Sequence, residues 1–117
     1  MFAAHHRLGA LTVLLDANGS QVDGAIAGVT TVEPIVEKWR AFSWHVQEVD
    51  GHDVDALDDA FAAASRSERP SVIIARTDIL GRLASIPATA DGHFLKLDDD
   101  LVRAIRSELE QAMEVRG

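Results

Sequence analysis

The sequence predicts an α/β fold in which helices flank a parallel sheet in three layers. Three short apolar runs, at Leu11–Leu15, Trp44–Val49 and Ser71–Arg76, alternate with helical segments. This alternation is typical of crossover connections over a parallel sheet. The chain has 117 residues, of which 47% are hydrophobic, and this is enough for one domain with a single core. We therefore expect residues 1–117 to form a single domain.

Composition excludes several classes of function. The formal net charge of -8 argues against binding to nucleic acid, because the phosphate backbone requires a basic surface. The chain contains no cysteine, so it has neither a disulfide framework nor a zinc–cysteine site. No apolar run approaches the roughly 18 residues that cross a bilayer, so we expect no membrane partner. These features are typical of a cytoplasmic protein.

The N-terminal residues predict the end of a helix and a first strand. Met1–Leu8 contains good helix formers and stops at Gly9. His5 and His6 are adjacent and diverge by about 100° on a helix, so they cannot bind one metal ion together. The run Leu11–Leu15 lacks polar alternation and predicts a strand that is buried on both faces.

A polar turn follows this first strand. Asp16, Asn18 and Ser20 supply oxygen atoms, while Gly19 and Gly24 allow backbone angles that other residues avoid. Oxygen atoms beside the carboxyl end of a parallel strand are the ligands that Mg²⁺ and its attached phosphates require. The residues alone leave two interpretations open, a cation site or an Asx-type turn that binds nothing.

The middle of the chain predicts a loop and two helices. Small residues at Ala25–Thr31 indicate the loop, and Pro34 suits the first turn of a helix that runs through Phe42. Asp53 is a good N-cap for a second helix over Val54–Ser65, whose apolar residues form one stripe.

The remaining elements are two strands, a long loop and a final helix. Trp44–Val49 alternates apolar and polar residues and indicates a strand near a sheet edge, whereas Ser71–Arg76 indicates a buried strand. Residues 78–97 contain Gly and Pro at intervals and predict an irregular loop, and loops of this length are often functional. Asp98 caps a terminal helix over residues 98–115.

Each predicted strand leads into a polar segment. These segments are Asp16–Gly24, Asp50–Asp53 and the residues from Thr77 onward. The carboxyl ends of parallel strands meet at one edge of a sheet, where ligands usually bind. We therefore expect the three segments to share one rim, which would be the place to look for a site.

Several short segments also stand in the order of a known family. They are Ala3–Gly9, Leu11–Val13, Asp16–Gly19, Val22–Gly24, Glu33–Pro34, Lys38–Phe42, Glu48–Asp53 and Pro70–Thr77. Together they resemble transketolase, specifically the C-terminal part of its thiamine-diphosphate-binding domain. The resemblance is closest to the shorter, two-subunit transketolases, and it covers residues 1–77 well and the rest loosely. It implies a partial thiamine-diphosphate-binding fold.

The resemblance implies thiamine diphosphate and Mg²⁺ as cofactors of a completed enzyme. In the family, the Asp of a Gly-Asp-Gly motif, an Asn and a backbone carbonyl hold the Mg²⁺ that bridges the diphosphate. Asn18 matches this Asn and Ser20 offers the carbonyl, while Asp16, Asp23 and Gly24 shape the cofactor-binding turn. The cofactor supplies the carbanion chemistry of ketol transfer, and the protein supplies position and electrostatics.

The sequence departs from the family pattern at several places. The Gly-Asp-Gly motif is absent, as is the pyrimidine-binding domain that carries the activating glutamate. Ala17 stands where the family usually has Asn or Asp, and Asp78–Arg82 replaces a Gly-rich loop. His93 matches a catalytic His on the substrate side of the site, but Phe94 replaces the Gly that follows it.

Two functional hypotheses follow. The chain is a fragment or small subunit of a transketolase-like enzyme that transfers two-carbon ketol units between sugar phosphates, and it is inactive alone. Its partner is then a companion chain with the Gly-Asp-Gly motif and the pyrimidine-binding domain, or a second copy in a homodimer. Alternatively, it is a degenerate, non-catalytic module that is retained for protein–protein interaction. The segments Gln21–Gly24 and Glu33–Pro34 resemble transketolase rather than a 2-oxoacid dehydrogenase component.

Overall fold

A computed structural model describes residues 1–114 of the chain. The helices are α1 (Phe2–His5), α2 (Ile26–Val29), α3 (Ile35–Ala41), α4 (Val54–Ser65) and α5 (Asp99–Glu114). The strands are β1 (Thr12–Ala17), β2 (Ser20–Gln21), β3 (Gly24–Ala25), β4 (His45–Asp50) and β5 (Ser71–Arg76). The chain divides into two compact units, one over Met1–Thr77 and one that starts at Asp78.

The first unit contains a parallel sheet of three strands in the order β1-β5-β4. Ala17 at the end of β1 and Asp50 at the end of β4 both pair with Arg76 at the end of β5. The three carboxyl ends therefore lie side by side at one edge of the sheet. This arrangement confirms the predicted α/β class with a parallel sheet.

The core forms on both faces of the central strand β5. Its residues alternate between the faces, as in any strand. On one face, Val72 and Ile74 pack with Val36 of α3 and with Trp44. On the other face, Ile73 packs with two buried alanines of α4. Helices thus cover both sides of the sheet, as the prediction of three layers required.

The first strand differs from its prediction in extent and in burial. β1 ends at Ala17 rather than at Leu15, because Asp16 pairs with Ala75 and Ala17 pairs with Arg76. Leu14 is 52% exposed, so the prediction of a strand buried on both faces is wrong. Among the residues that the structure describes, β1 has a strand neighbour on one side only, and part of its surface is uncovered.

The segment after β1 is more ordered than the predicted loop over Ala25–Thr31. Ser20 pairs with Ala25 in a short antiparallel hairpin of β2 and β3. The one-turn helix α2 follows directly. Gly19 and Gly24 have φ angles of 72° and 115°, which are accessible to glycine at little cost. These elements are too short to produce a periodic sequence pattern, and the prediction missed them for that reason.

Local capping signals were more reliable. The Asp53 carboxylate accepts a hydrogen bond from the Ala56 amide at 3.1 Å, which confirms the predicted N-cap of α4. Asp98 accepts from the Leu101 amide at 2.8 Å in the same way. Both bonds satisfy an amide that the first helical turn leaves without an intrahelical partner.

The second unit consists of turns followed by α5. No helix or strand is assigned between Thr77 and Asp98 in the described chain. Two turns in this segment are closed by aspartates, since Asp78 accepts from the Leu80 amide at 2.8 Å and Asp91 accepts from the His93 amide at 2.9 Å. The predicted terminal helix extends to residue 115, which lies outside the described residues.

Candidate functional site

The candidate site is the turn that connects β1 to β2 at the carboxyl edge of the sheet. Asp16 belongs to the end of β1 and is exposed to solvent. Asn18 is half-buried between the two strands, and Ser20 begins β2. The turn and the ends of β4 and β5 therefore share the predicted rim.

A chain of hydrogen bonds crosses this turn. The hydroxyl of Thr77, which directly follows β5, donates to Oδ1 of Asp16. The Asn18 side chain donates through Nδ2 to Oδ2 of Asp16 at 3.0 Å. The Ser20 amide then donates to Oδ1 of Asn18 at 2.9 Å. We call these four residues the Asp16 network.

The oxygen atoms of the turn suit a hard cation. The Asn18 side-chain oxygen has two acceptor positions, and the Ser20 amide uses one of them. The other position and the Ser20 carbonyl are ligands of the type that Mg²⁺ takes, but they are only part of its usual six. No group of three or more His, Cys, Asp or Glu residues is arranged for a metal ion in the described part of the chain. The residues thus fit a Mg²⁺ ion that is shared with other ligands.

The other predicted site residues lie in two places. Asp23 and Gly24 lie in the β2–β3 hairpin, in the same unit as Asn18, and Asp23 is exposed. His93 lies in the second unit, in the turn closed by Asp91, and its side chain is exposed. Asp16, Asn18, Ser20, Asp23 and Gly24 thus lie in one short stretch of the first unit, and His93 lies in the second unit.

A cleft of about 440 Å³ borders this turn in the first unit. Asp16 and Gly19 form part of its wall, and apolar side chains of β1, α2 and α3 form much of the rest. The segment Thr30–Glu33 and Arg76 complete the lining. The volume lies in the range of small-molecule sites.

Arg76 joins two carboxylates beside the cleft. Its guanidinium contacts Glu33 at 2.7 Å and Glu48 at 2.6 Å. The hydrogen bond from Arg76, aided by one from the Ile35 amide, lowers the pKa of Glu33 below its usual value of 4.5. Glu33 and Glu48 in turn raise the pKa of Arg76 above its usual range. The positive charge of Arg76 is therefore engaged within the protein.

A lysine holds the adjacent backbone. The Lys38 ammonium donates to the carbonyls of Val32 at 2.7 Å, Glu33 at 3.2 Å and Thr31 at 3.3 Å. Together with the Arg76 ion pair, these bonds fix the segment that leads into the N-terminus of α3. This segment has no regular structure, so the two cations supply the contacts that a sheet or helix would supply elsewhere.

The predicted rim included the residues from Thr77 onward, but Glu33, Glu48 and Arg76 were not predicted as members of it. Opposite charges near the ends of two neighbouring strands were a usable signal for the pair of Glu48 and Arg76. Thr77 follows β5 directly and was included in the predicted rim, but its contact with Asp16 was not predicted. Glu33 has no comparable signal, because it lies in an irregular segment.

Comparison with known proteins then gives the family. The sequence model of the transketolase thiamine diphosphate binding domain matches residues 1–114. The chain belongs to the transketolase family. This confirms the resemblance that the sequence motifs indicated, and it makes this chain part of a thiamine-diphosphate-binding domain.

Two relatives of this transketolase-family chain are informative. It is 39% identical to the 6-deoxy-6-sulfo-D-fructose transketolase subunit SqwG of Clostridium sp. strain MSTE9, over 95% of this chain and 41% of the relative. It is 38% identical to an uncharacterised transketolase family protein of Sinorhizobium fredii, over 91% of this chain and 39% of the relative. The chain thus spans about two fifths of the length of these two curated relatives.

Solved transketolases share the fold of the chain. The transketolase of Campylobacter jejuni superposes with a TM-score of 0.79 at 21% identity, over 92% of this chain and 17% of that enzyme. The Leishmania mexicana enzyme gives a TM-score of 0.61 at 23% identity, over 97% of this chain and 20% of that enzyme. None of the described helices combines the length and hydropathy needed to cross a bilayer.

Proposed function

We propose that this chain supplies one part of a Mg²⁺–thiamine diphosphate site in an enzyme that transfers two-carbon ketol units. Asn18 contributes its side-chain oxygen to the metal and Ser20 contributes its carbonyl. Asp16, Asp23 and Gly24 shape the turn that carries these ligands. The bound cofactor supplies carbanion chemistry, while the protein fixes its position and the surrounding charge.

The observation that carries this proposal is the Asp16 network at the carboxyl edge of the sheet. It positions two oxygen atoms that can bind a metal ion, the side-chain oxygen of Asn18 and the carbonyl oxygen of Ser20, in a turn beside the end of a parallel strand. This edge is where open α/β sheets bind ligands. The membership of the chain in a thiamine-diphosphate-binding family adds independent support.

We further propose that the chain is inactive without a partner. Two oxygen ligands from this chain leave most of the Mg²⁺ coordination shell to be filled by the diphosphate, by water and by a carboxylate from elsewhere. Within these 117 residues there is no Gly-Asp-Gly motif, and the family match is to the thiamine diphosphate binding domain rather than to a pyrimidine-binding domain. A companion chain that carries both would complete the site, and a homodimer is the other arrangement consistent with this proposal.

The substrate class that we propose is the acidic sugars, with sugar phosphates as the first candidates. One relative is named for 6-deoxy-6-sulfo-D-fructose, which is a ketose with a terminal anionic group. His93 is the residue of this chain that we propose on the substrate side of the reaction. In this proposal, residues 1–117 form one domain, and the family model supports this because its match over residues 1–114 includes both compact units.

The test combines a deletion of the proposed ligand with a matched control. The chain would be purified with the products of its neighbouring genes, and thiamine diphosphate retained after gel filtration would be measured together with ketol transfer. We expect Asn18→Ala to abolish both, because it removes one of two protein ligands from this chain. Gln111→Ala removes an exposed amide from α5 and should leave both unchanged.

Further outcomes decide between the proposal and its alternative. Asn18 lies in a turn outside the core, so Asn18→Ala should keep the circular dichroism spectrum and melting temperature of the parent. Unfolding of this variant, or full cofactor retention by it, would contradict the assignment. Calorimetric titration of the chain alone with Mg²⁺ and thiamine diphosphate should show no micromolar binding. A chain that binds its partner without conferring activity would instead support a non-catalytic interaction module.

A further inference from the structure

The orientation of the Asn18 amide raises a question that the ligand assignment leaves open. The oxygen and nitrogen of an asparagine side chain occupy nearly the same volume, so partners must determine which atom lies on which side. Only the oxygen can bind a cation. A site that depends on Asn18 therefore needs a second group that fixes its amide.

The Asp16 network contains such a group. A carboxylate accepts hydrogen bonds and donates none when ionised, so Asp16 selects the NH₂ side of the amide. The Ser20 amide donates and therefore selects the oxygen side. A reversed Asn18 amide would lose both bonds and would place like partial charges together at each contact. The two neighbours thus permit one orientation.

Asp16 is itself held by the sheet. It is paired with Ala75 in the β1–β5 ladder, so its backbone is fixed by the central strand. Its other carboxylate oxygen accepts from the Thr77 hydroxyl, one residue beyond β5. The orientation of the Asn18 amide therefore depends on contacts with the neighbouring strands β1 and β5, and not on the turn alone.

We propose that Asp16 and Thr77 are positioning residues that orient the Asn18 amide so that its oxygen is available to a cation. This inference rests on the proposed function, in which Asn18 is a Mg²⁺ ligand. It adds that Asp16 acts through Asn18 and that Thr77, which the turn sequence does not reveal, belongs to the site.

The first test uses the full chain and requires no cofactor. Amide hydrogen exchange of Ser20 reports the bond to Asn18, and the carboxamide resonances of Asn18 report the bond to Asp16. Thr77→Val keeps the shape of the side chain but removes the hydroxyl, and Thr77→Ser keeps the hydroxyl. We expect Ser20 exchange to accelerate about three- to tenfold in Thr77→Val, and by less than about twofold in Thr77→Ser.

Substitutions at Asp16 separate positioning from direct binding. Asp16→Asn can still accept from Asn18 through its oxygen and donate to Thr77 through its nitrogen, whereas Asp16→Ala can do neither. A positioning role therefore predicts a clearly smaller effect for Asp16→Asn than for Asp16→Ala. If Asp16→Asn and Asp16→Ala raised the Mg²⁺ concentration needed for half-saturation equally, Asp16 would act through its charge or as a ligand. That result would overturn the inference.

The second test measures the Mg²⁺ concentration for half-saturation in the completed enzyme at fixed thiamine diphosphate. We expect an increase of about 10- to 100-fold in Thr77→Val and Asp16→Ala, as for other residues that orient a metal ligand. If Asn18→Ala raises the requirement and these two variants do not, the positioning inference fails alone. If Asn18→Ala itself has no effect, the proposed function fails, and the inference fails with it.

Discussion

Different kinds of contact stabilise the two compact units of this chain, each taken by itself. In the first unit, residues far apart in sequence pair along parallel strands, and the five residues Ser71–Ala75 are all buried. In the second unit, none of the described residues of α5 is buried. The difference teaches that the buried sheet of the first unit sets positions through distant partners, whereas α5 has no buried residue within Asp99–Glu114 and makes polar contacts with the segment before it.

Glu108 illustrates the second kind of contact. Its carboxylate accepts from the Ala84 amide at 2.7 Å, from the Ser85 amide at 2.9 Å and from the Ser85 hydroxyl at 2.6 Å. These bonds connect α5 to the irregular segment before it within the second unit. One side chain thus supplies three bonds that link the helix to this segment.

Truncating one apolar side chain in each unit should give the largest difference between the units in the free energy of unfolding. Ile73 is fully buried in β5, and Leu109 of α5 is 47% exposed. We expect Ile73→Ala to lower the free energy of unfolding by about 2–5 kcal/mol, because it leaves a cavity in a packed core. Leu109→Ala should cost less than about 1 kcal/mol, since it buries little surface in this unit.

Urea denaturation monitored by circular dichroism would measure both changes. A similar loss for the two variants would show that α5 is covered in solution by a surface outside the second unit. It would then contradict the picture of a helix that buries little.

Two glycines allow a finer test of the same comparison. A Cβ atom at Gly51 would lie 2.3 Å from Thr77 Cγ2 and 3.2 Å from the carbonyl oxygen of Arg76. A Cβ atom at Gly92 would also lie 2.3 Å from its nearest atom, but all of its close neighbours belong to the side chain of Ile79. That side chain is 38% exposed and can rotate, whereas the carbonyl is fixed in the sheet.

We therefore expect unequal costs from the same substitution. Gly51→Ala should destabilise the chain by about 1–3 kcal/mol, and Gly92→Ala by less than about 1 kcal/mol. Gly51→Ala should also displace the Thr77 side chain and accelerate Ser20 amide exchange, which Gly92→Ala should not do. Urea midpoints and exchange rates of the two variants would check this, and equal midpoints would contradict the contrast between a fixed and a mobile neighbour.

The parts of the molecule that the sequence predicted are those with local causes. The caps at Asp53 and Asp98 depend on residues three positions away, and both were predicted correctly. The parallel sheet followed from the alternation of elements. The exposure of Leu14 was not predicted, because an apolar run indicates that a strand suits a buried position but not which elements cover it.

The residues of the candidate site also divide into those with partners nearby in sequence and those with distant partners. Asp16 and Asn18 are two positions apart, and their polar turn is visible in the sequence. Thr77 is 61 positions from Asp16 and meets it only because β1 and β5 pair in one register. The ion pair of Arg76 with Glu33 spans 43 positions and also depends on an irregular segment. Single-sequence patterns do not specify such register, so these partners had to come from the structure.

The smallest expected effect concerns the acid sensitivity of the two units. The pKa of Glu33 is lowered first by the hydrogen bond from Arg76, and that of Glu108 first by the hydrogen bond from the Ser85 hydroxyl. Both carboxylates have a usual pKa of 4.5, so each should stabilise the folded chain above this pH. This contribution should be lost as the pH falls through the lower folded-state value, because protonation then favours the unfolded chain.

Salt should distinguish the two carboxylates. Arg76 is charged, so about 1 M NaCl should weaken its effect and move the pKa of Glu33 back towards the usual value. The partners of Glu108 are a neutral hydroxyl and two amides, and its pKa should change less. NMR titration of the side-chain carboxyl carbons in low and high salt would measure both values, with Glu33→Gln and Glu108→Gln to assign the resonances. An equal response to salt would contradict the distinction between an ion pair in the first unit and neutral hydrogen bonds in the second.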